Sequence, residues 1–236
     1  MSRTSPPVLR VASYNIRKAR GTDRRHDPAR SLATISALDA DLVVLQEADF
    51  RLGRRPTALP RQMIADLTGL EPVEVAGHPD SLGWHGIAIL ARNGLVTEHV
   101  DCIDLPGMEP RGAVLADFDS PLGPLRIVGV HLGLLRRNRR QQLDHLRQRL
   151  DAKAPRPTLI LGDFNEWSLR RGLGRLARDY RIVTPGPSFP SRMPLLPLDR
   201  IAHSPDLSVI AGPPAQGHLR PQPSDHLPIR ADVRAA

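Results

Sequence analysis

The chain has 236 residues, of which 40% are hydrophobic, and this is enough to bury a sizeable core. No Ser/Gly-rich linker divides it, so we expect a single domain over 1–236, with flexible ends at 1–7 and 234–236. Cys102 is the only cysteine, which excludes an intrachain disulfide and favours a reducing compartment. No run approaches the ~18 apolar residues of a membrane span, so we expect a cytoplasmic protein without obligate membrane association.

The formal net charge is +8, and nearly all the cations are arginines, since Lys18 and Lys153 are the only lysines. A net positive field favours an anionic partner: nucleic acid, a phosphorylated metabolite or an acidic membrane surface. The joint abundance of Arg, Ala and Pro offers another explanation, a compositional bias unrelated to binding. The charge therefore gives weak support for a phosphate-bearing substrate, and it implies no protein partner.

The N-terminal residues predict a strand followed by a helix. Residues 8–14 alternate loosely between apolar and polar, as a strand does, and the strand ends at Asn15. Asn15 is either a turn residue or a polar group presented at the end of a buried strand. Asp27 followed by Pro28 has the form of a helix start, with a capping acceptor and then a proline.

The next apolar run, at 42–45, predicts a buried strand that is closed by an acid. A carboxylate in that position is costly unless it is solvated, paired or bound to a metal. Glu47 is therefore a better ligand candidate than most acids of this chain. A second helix is predicted over 58–67.

An Asn-Gly pair at 93–94 separates two further apolar runs, at 86–90 and 95–100. This dipeptide favours a tight turn between paired strands, so a β-hairpin is predicted here. His85 stands just before the first of these strands. A surface or packing role is favoured for His85, and a role in the wall of a site stays open.

Two more strands, at 112–118 and 125–130, are predicted to pair, and His131 follows the second of them. Residues 136–151 then form a predicted helix with one apolar stripe and six arginines. The arginine-rich face is either a solvated helix surface or a surface that follows a phosphate backbone.

The run 159–161 predicts a strand buried on both faces, and Gly162 ends it. Asp163 and Asn165 come next, and residues two apart in an extended segment project to the same side. An acceptor-only carboxylate beside a donor-capable amide suits a site that activates water and binds a phosphate oxygen. A simple turn is the alternative interpretation.

The last part of the chain repeats the pattern of polar residues beside apolar strands. An irregular proline-rich loop spans 185–197, and a strand that includes Asp199 follows it. Asp225 and His226 stand directly before the last predicted strand.

Eight polar residues therefore fall at strand ends, which suggests one convergent site above a sheet: Asn15, Glu47, His131, Asp163, Asn165, Asp199, Asp225 and His226. Glu, Asp and Asn offer hard oxygen ligands, which Mg²⁺ prefers, with Mn²⁺ or Ca²⁺ as alternatives. Zinc-type cysteine spacings, a Gly-rich phosphate loop and a Gly-x-Ser-x-Gly elbow are all missing from the sequence. The pattern favours a hydrolase that uses a metal ion and water.

Six short motifs occur in an order that adds specificity: Ser-Tyr-Asn-Ile at 13–16, Leu-Gln-Glu at 45–47, Val-His-Leu at 130–132, Gly-Asp-Phe-Asn at 162–165, Leu-Asp-Arg-Ile at 198–201 and Ser-Asp-His-Leu-Pro at 224–228. With them the chain resembles the endonuclease/exonuclease/phosphatase superfamily, the deoxyribonuclease-I-like metal-dependent phosphoesterases. The resemblance runs from about Val11 to Val233. It implies an α/β fold, a four-layer α/β/β/α sandwich of two mixed sheets packed face to face, with helices outside.

The resemblance also implies a metal centre and a catalytic base. Glu47 would be the principal ligand of the divalent ion, with Asn15 beside it and Asp225 contributing to the metal region. Asp163 would orient and deprotonate the attacking water.

Phosphate binding and proton transfer are implied for the remaining residues. Asn165 and His131 would hold the phosphate oxygens, and Arg111 is a candidate for an extra phosphate contact. His226, polarised by Asp199, would stabilise the developing charge or act in proton transfer.

The implied function is a divalent-metal-dependent phosphodiesterase or nuclease. Arg17 stands where abasic-site nucleases of the family carry an acid, which argues against an abasic-site repair role. The alternatives are a phosphomonoesterase or a sphingomyelinase-like phospholipid phosphodiesterase. A third hypothesis is an inactive, Arg-rich nucleic-acid-binding module.

Overall fold

The computed structural model describes residues 6–51, 53–75, 77, 79–168, 171–217 and 219–236. The expectation of a flexible N-terminal end falls mostly on 1–5, which lie outside the described residues. Residues 6 and 7 are exposed and precede the first strand.

Three α-helices and twelve strands occur in the described part of the chain. The helices are α1 (Pro28–Ala37), α2 (Arg61–Thr68) and α3 (Arg136–Asp151). The strands are β1 (Leu9–Asn15), β2 (Leu42–Gln46), β3 (Leu70–Pro72), β4 (Ala88–Arg92), β5 (Val96–Leu105), β6 (Arg111–Ser120), β7 (Gly123–His131), β8 (Thr158–Asp163), β9 (Arg181–Val183), β10 (Asp199–His203), β11 (Leu207–Ala211) and β12 (Ile229–Ala235).

The strands form two mixed six-stranded sheets. The order in the first sheet is β11-β12-β1-β2-β4-β3, and in the second it is β5-β6-β7-β8-β10-β9. The pairs β1–β2 and β7–β8 are parallel, and the other pairs are antiparallel. Each sheet therefore has two parallel strands at its centre, whose C-terminal ends lie side by side.

Three hydrophobic clusters divide the molecule into four layers. One lies between the sheets and includes Val44 of the first sheet and Leu161 of the second. Another packs the first sheet against α1 and α2 through Leu32 and Ile64. The third packs the second sheet against α3, where Leu143 is fully buried. The α/β/β/α sandwich expected from the sequence is confirmed.

Local sequence signals account for several element boundaries. The side chain of Asp27 accepts a hydrogen bond from the backbone N–H of Arg30 at 3.2 Å, and Pro28 begins α1, as predicted. A glycine is required at position 162, because a Cβ there would lie 1.9 Å from the carbonyl oxygen of Val130. The parallel strands β7 and β8 can approach this closely only without that side chain.

The predicted hairpin around residues 93–94 is wrong. Strand β4 pairs with β2 and β3 in the first sheet, whereas β5 pairs with β6 in the second. The Asn-Gly segment is the crossover between the sheets. Burial explains the outcome: β4 is almost wholly buried and needs strands on both sides, whereas β5 is largely exposed and forms an edge.

The C-terminal end at 234–236, whose flexibility stays a prediction, includes the last residues of a strand. Strand β12 continues to Ala235, which is paired with Leu207 of β11. The backbone N–H of Ala236 donates to the carbonyl of Asp206 at 2.9 Å. Within the described residues, no helix combines the length and the apolar character needed to cross a membrane.

Candidate active site

The ends of the two central parallel strand pairs bring four predicted residues together. Asn15 ends β1, Glu47 follows β2, His131 ends β7 and Asp163 ends β8. The amide Nδ2 of Asn15 donates to Oδ2 of Asp163 at 3.1 Å, which joins the two sheets directly across the site. Glu47 and Asp163, which come from different sheets, face the same cleft.

The cleft opens above these strand ends with a volume of about 1100 Å³ that includes the solvent at its mouth. All but one of the predicted site residues line it: Asn15, Glu47, Arg111, His131, Asp163, Asn165, Asp225 and His226. The exception is Asp199, which is fully buried behind His226. The structure thus brings together every residue that the sequence predicted for the site.

The carboxylate of Asp163 is the focus of this arrangement. It is only 2% exposed, and its Oδ1 accepts a hydrogen bond from the backbone N–H of Asn165 at 2.9 Å. Nε2 of His131 lies 3.4 Å from Oδ2, and Nε2 of His226 lies 3.7 Å from the same oxygen. Burial raises the pKa of Asp163 to about 6, although the charge of His226 opposes the rise. Asp163 is therefore a fixed, buried carboxylate that can take up a proton near neutral pH.

A second buried carboxylate orients the imidazole of His226. Nδ1 of His226 donates to Oδ2 of Asp199 at 2.8 Å, which turns Nε2 towards Asp163. The hydroxyl of Ser188 donates to the same oxygen of Asp199 at 2.5 Å. Burial lowers the pKa of His226, but the charges of Asp199 and Asp163 outweigh it and raise the pKa to about 10. His226 is therefore a cation at neutral pH.

His131, in contrast, carries a neutral imidazole. Burial lowers its pKa well below the ordinary value, and the positive charges of Arg111 and His226 lower it further. The site thus holds one neutral and one protonated imidazole on the same side of Asp163. The neutral ring can bind a phosphate oxygen, and the charged ring can stabilise negative charge.

Asn165 lies in a left-handed turn, with a φ of 50°. Its Nδ2 donates to the carbonyl of Leu132 at 2.8 Å, so the segment after β8 is tied to the segment after β7. One N–H of the amide stays available to a ligand in the cleft.

The predicted metal ligands are paired with side-chain cations. Glu47 forms an ion pair with Lys18, and its Oε1 lies 3.6 Å from Nη2 of Arg51. Burial raises the pKa of Glu47, but Lys18 and Arg51 lower it below the ordinary value, so this carboxylate is ionised. Oδ2 of Asp225 lies 3.2 Å from Nε of Arg17.

The donor set fits a hard divalent cation in kind. Among the described residues no group of three or more His, Cys, Asp or Glu side chains is close enough to hold a metal. Mg²⁺, however, is usually held by one or two carboxylates, with waters and substrate phosphates as its other ligands. Glu47 and Asp225, with the carboxamide of Asn15, match that description, and an ion on Glu47 would take the place of the Lys18 ammonium.

Two residues with open roles lie beside this set. Arg111 is only 7% exposed, and its guanidinium donates twice to Oε2 of Glu109, at 3.2 and 2.9 Å. It faces the cleft beside His131, so a phosphate contact is sterically accessible to it. His85 lies in the wall of a small side pocket that also includes Glu47, and its Nε2 is 3.0 Å from Asp104.

Several residues of the site were not predicted from the sequence. Lys18 reaches Glu47 because Arg17, Lys18 and Ala19 all have left-handed backbone angles, which no local sequence signal indicates. Arg139 of α3 forms a buried ion pair with Glu166 at 2.9 Å, beside Asn165. An acid directly after the Gly-Asp-Phe-Asn motif was the available signal for Glu166.

Comparisons with known proteins agree with this geometry. A family model described as "Endonuclease/Exonuclease/phosphatase family" matches residues 12–226. No curated protein matches the chain.

Solved structures share the fold at low sequence identity. A functionally unknown conserved protein of Enterococcus faecalis V583 is 20% identical, with a TM-score of 0.78 over 97% of this chain and 100% of that one. The catalytic domain of human Nocturnin, with bound sulfate, is 21% identical, with a TM-score of 0.71 over 98% and 96% of the two chains. ANGEL2, a 2',3'-cyclic phosphatase in complex with adenosine-2',3'-vanadate, is 15% identical, with a TM-score of 0.68 over 98% and 96%.

The family model runs from β1 to His226, so it includes every predicted site residue and every strand except β12. The resemblance seen in the six sequence motifs is thereby confirmed. The chain belongs to the endonuclease/exonuclease/phosphatase family.

Proposed function

We propose that this protein is a divalent-metal-dependent phosphodiesterase that hydrolyses P–O bonds with an activated water. Its family hydrolyses phosphate esters, which supports the general reaction. One observation carries the proposal. An amide, a neutral imidazole and a protonated imidazole all converge on Oδ2 of Asp163.

Asp163 is the general base. With a pKa of about 6 it is largely ionised at neutral pH, yet basic enough to accept a proton from water. The N–H groups of Asn165 and Asn15 hold both of its oxygens, so the attacking water meets a carboxylate of fixed orientation. General-base assistance of this kind is typically worth about 10²–10⁴-fold in rate.

The phosphate group is held by neutral and charged donors. His131 and Asn165 contact its oxygens, and Arg111 adds a guanidinium at the side of the cleft. His226 stabilises the charge that develops in the transition state, because Asp199 keeps its imidazole protonated and directed at the site. Nε2 of this charged ring lies 3.7 Å from Oδ2 of Asp163, and it can supply a proton to the departing oxygen.

Glu47, Asn15 and Asp225 would hold the metal ion, with Mg²⁺ the first choice and Mn²⁺ or Ca²⁺ as alternatives. When bound, such an ion would offset the negative charge of the phosphate and polarise its P–O bond. Lys18 and Arg17, which now pair with Glu47 and Asp225, would have to give up these partners.

The open cleft and the net charge of +8 favour a diester in an anionic polymer or surface, and both a nucleic acid and an anionic phospholipid fit these features. A phosphomonoesterase is the other candidate. An inactive nucleic-acid-binding module is disfavoured, because Glu47, Asp163 and His226 are all present and all face the cleft.

Turnover of bis-p-nitrophenyl phosphate, p-nitrophenyl phosphate, DNA, RNA and phospholipid, each with Mg²⁺, with Mn²⁺ and with a chelator, tests the proposal. We expect metal-dependent cleavage of the diester, with kcat lower by about 10²–10⁴-fold in Asp163→Asn. If none of these esters is cleaved by a folded, metal-bound protein, the proposal is refuted. Cleavage of a nucleic acid should weaken steeply with added salt, whereas a small ester should be nearly insensitive.

A further inference from the structure

Exposed apolar side chains are concentrated on the segments that build the cleft. Six of the eleven large apolar side chains that the described part of the chain exposes belong to the segments that build the cleft, and each is more than half exposed. We name this set the apolar rim: Met108, Leu134, Leu135, Trp167, Met193 and Leu195. Exposed apolar groups that cluster around a site, rather than scatter singly, mark an interaction surface.

The rim residues lie on four loops, each of which also contributes residues to the lining of the cleft. Leu134 and Trp167 line the cleft themselves, and Trp167 stands two residues after Asn165. Met108, Leu135 and Leu195 are each next in sequence to a residue that lines the cleft. Met193 lies on the same loop as Leu195. Its backbone N–H donates to the carbonyl of Pro190, which is next in sequence to Phe189 of the cleft lining.

Positive charge accompanies the rim. Arg136 and Arg137 follow Leu135 directly, and Arg192 precedes Met193, with all three arginines exposed. Within the described residues, the side chains of Arg136 and Arg137 have no hydrogen bond or ion pair, whereas Nη2 of Arg192 donates to the carbonyl of Thr22 at 2.8 Å. Apolar tips beside exposed cations match the chemistry of an anionic lipid surface, where side chains enter the acyl boundary and cations meet the phosphates.

We propose that the apolar rim docks this protein reversibly onto an anionic phospholipid surface, so that the diester reaching Asp163 comes from a lipid headgroup. Single-stranded nucleic acid is the competing occupant, but bases bind by stacking on aromatic rings. Only Trp167 of the six rim residues is aromatic, and the other five are Leu or Met. The binding free energy that flexible aliphatic side chains contribute is small against a nucleic-acid base and large when they are buried among acyl chains.

This inference rests on the proposed function only for what is hydrolysed, because docking can be measured without turnover. The chain has two tryptophans, so Trp84→Phe leaves Trp167 as the only tryptophan, which can be excited selectively over the two tyrosines. We expect its emission to shift to the blue on addition of vesicles of equal parts phosphatidylcholine and phosphatidylglycerol. Brominated acyl chains should quench it, and phosphatidylcholine alone should give a much weaker response.

Vesicle flotation provides the second measurement, and it compares a triple variant of the apolar rim with a double variant that serves as the control. Leu135→Ser/Met193→Ser/Leu195→Ser should weaken binding to the anionic vesicles by at least about tenfold, since each inserted side chain is worth about that factor. Val96→Ser/Ile210→Ser removes equally exposed side chains from strands β5 and β11, and it should bind like the wild type. Both variants should cleave soluble bis-p-nitrophenyl phosphate at the wild-type rate.

Three results would overturn the docking proposal: no shift of Trp167 with anionic vesicles, equal flotation of the rim variant and the control, or a loss in the rim variant of oligonucleotide binding in place of vesicle binding. A protein that floats through its rim but cleaves no diester would leave docking intact and refute the proposed function instead. The two failures are therefore distinguishable.

Discussion

Replacing Asp163 with Asn should remove activity while leaving stability almost unchanged. An Asn cannot accept the proton of the attacking water, so kcat should fall by about 10²–10⁴-fold, or about 3–5 kcal/mol of barrier. Two effects on stability oppose each other. The rise of the pKa from 3.8 to about 6 means that the buried charge costs about 3 kcal/mol at neutral pH, and Asn removes that cost.

The opposing effect comes from hydrogen bonding. The two oxygens of Asp163 accept from the N–H of Asn165 and from Nδ2 of Asn15, and an Asn side chain can serve only one of these donors. A buried donor without an acceptor costs about 1–3 kcal/mol, so the two effects nearly cancel. We expect the Tm of Asp163→Asn to stay within about 4 °C of the wild type, since about 1 kcal/mol corresponds to 2–4 °C in a domain of this size.

Kinetics on bis-p-nitrophenyl phosphate and thermal unfolding of the same preparations measure both effects. Asp117→Asn is the matched control, because it removes a buried carboxylate that is paired with Arg126 at 2.7 Å and lies outside the cleft. Leaving that guanidinium unpaired should cost about 3–5 kcal/mol of stability and leave kcat unchanged at temperatures where the variant is folded. An Asp163→Asn enzyme with more than a tenth of wild-type kcat would refute the role of general base.

Three further changes test other parts of the site. Asp199→Asn should lower the pKa of His226, so that the loss of kcat/KM with rising pH begins at a lower pH; an unshifted alkaline limb would contradict this. Glu47→Gln should weaken Mn²⁺ binding by calorimetry by more than about 100-fold, because even an outer-shell partner is worth ~10–100-fold; unchanged affinity would place the ion elsewhere. Arg139→Met should cost about 3–5 kcal/mol in urea unfolding by leaving Glu166 buried and unpaired, and Arg139→Met/Glu166→Leu should recover part of it. If the double variant is the less stable of the two, the ion pair is not the cause.

The sequence was sufficient to predict which residues meet. Asn15, Glu47, His131 and Asp163 each close an apolar strand, and the C-terminal ends of parallel strands share one edge of a sheet. The family resemblance predicted that residues of the two sheets would meet in one site. The hydrogen bond from Asn15 to Asp163 is the contact that joins them. The two signals were informative together. Polar residues at strand ends predicted the shared edge of a sheet, and the order of the motifs predicted the contact between the two sheets.

Local signals failed where tertiary context selected the partner. The Asn-Gly pair at 93–94 does reverse the chain locally, but the burial of β4 and the exposure of β5 send the two strands to different sheets. Likewise, no local signal in residues 234 and 235 indicates a strand, and their place in β12 comes from pairing with β11, which precedes them by more than 20 residues.

Two basic residues of the cleft also could not be predicted from the sequence. Lys18 is one of 33 basic residues, and nothing in its neighbours indicates the three consecutive left-handed residues that aim it at Glu47. Arg139 lies within an arginine-rich helix in which most side chains are solvated, and only its pairing with Glu166 distinguishes it. Trp167 and the rest of the apolar rim could be recognised only from exposure, which sequence composition does not report.

The central claim is that Glu47, Asn15 and Asp225 of the first sheet hold one divalent cation beside the Asp163 carboxylate of the second sheet. A crystal grown with Mn²⁺ and phosphate, measured for anomalous scattering, tests it most directly. We predict one peak at about 2.1 Å from a carboxylate oxygen of Glu47, with Lys18 displaced and the phosphate in contact with His131 and Asn165. A peak outside the cleft, or an ordered phosphate with Glu47 still paired to Lys18, would contradict the claim.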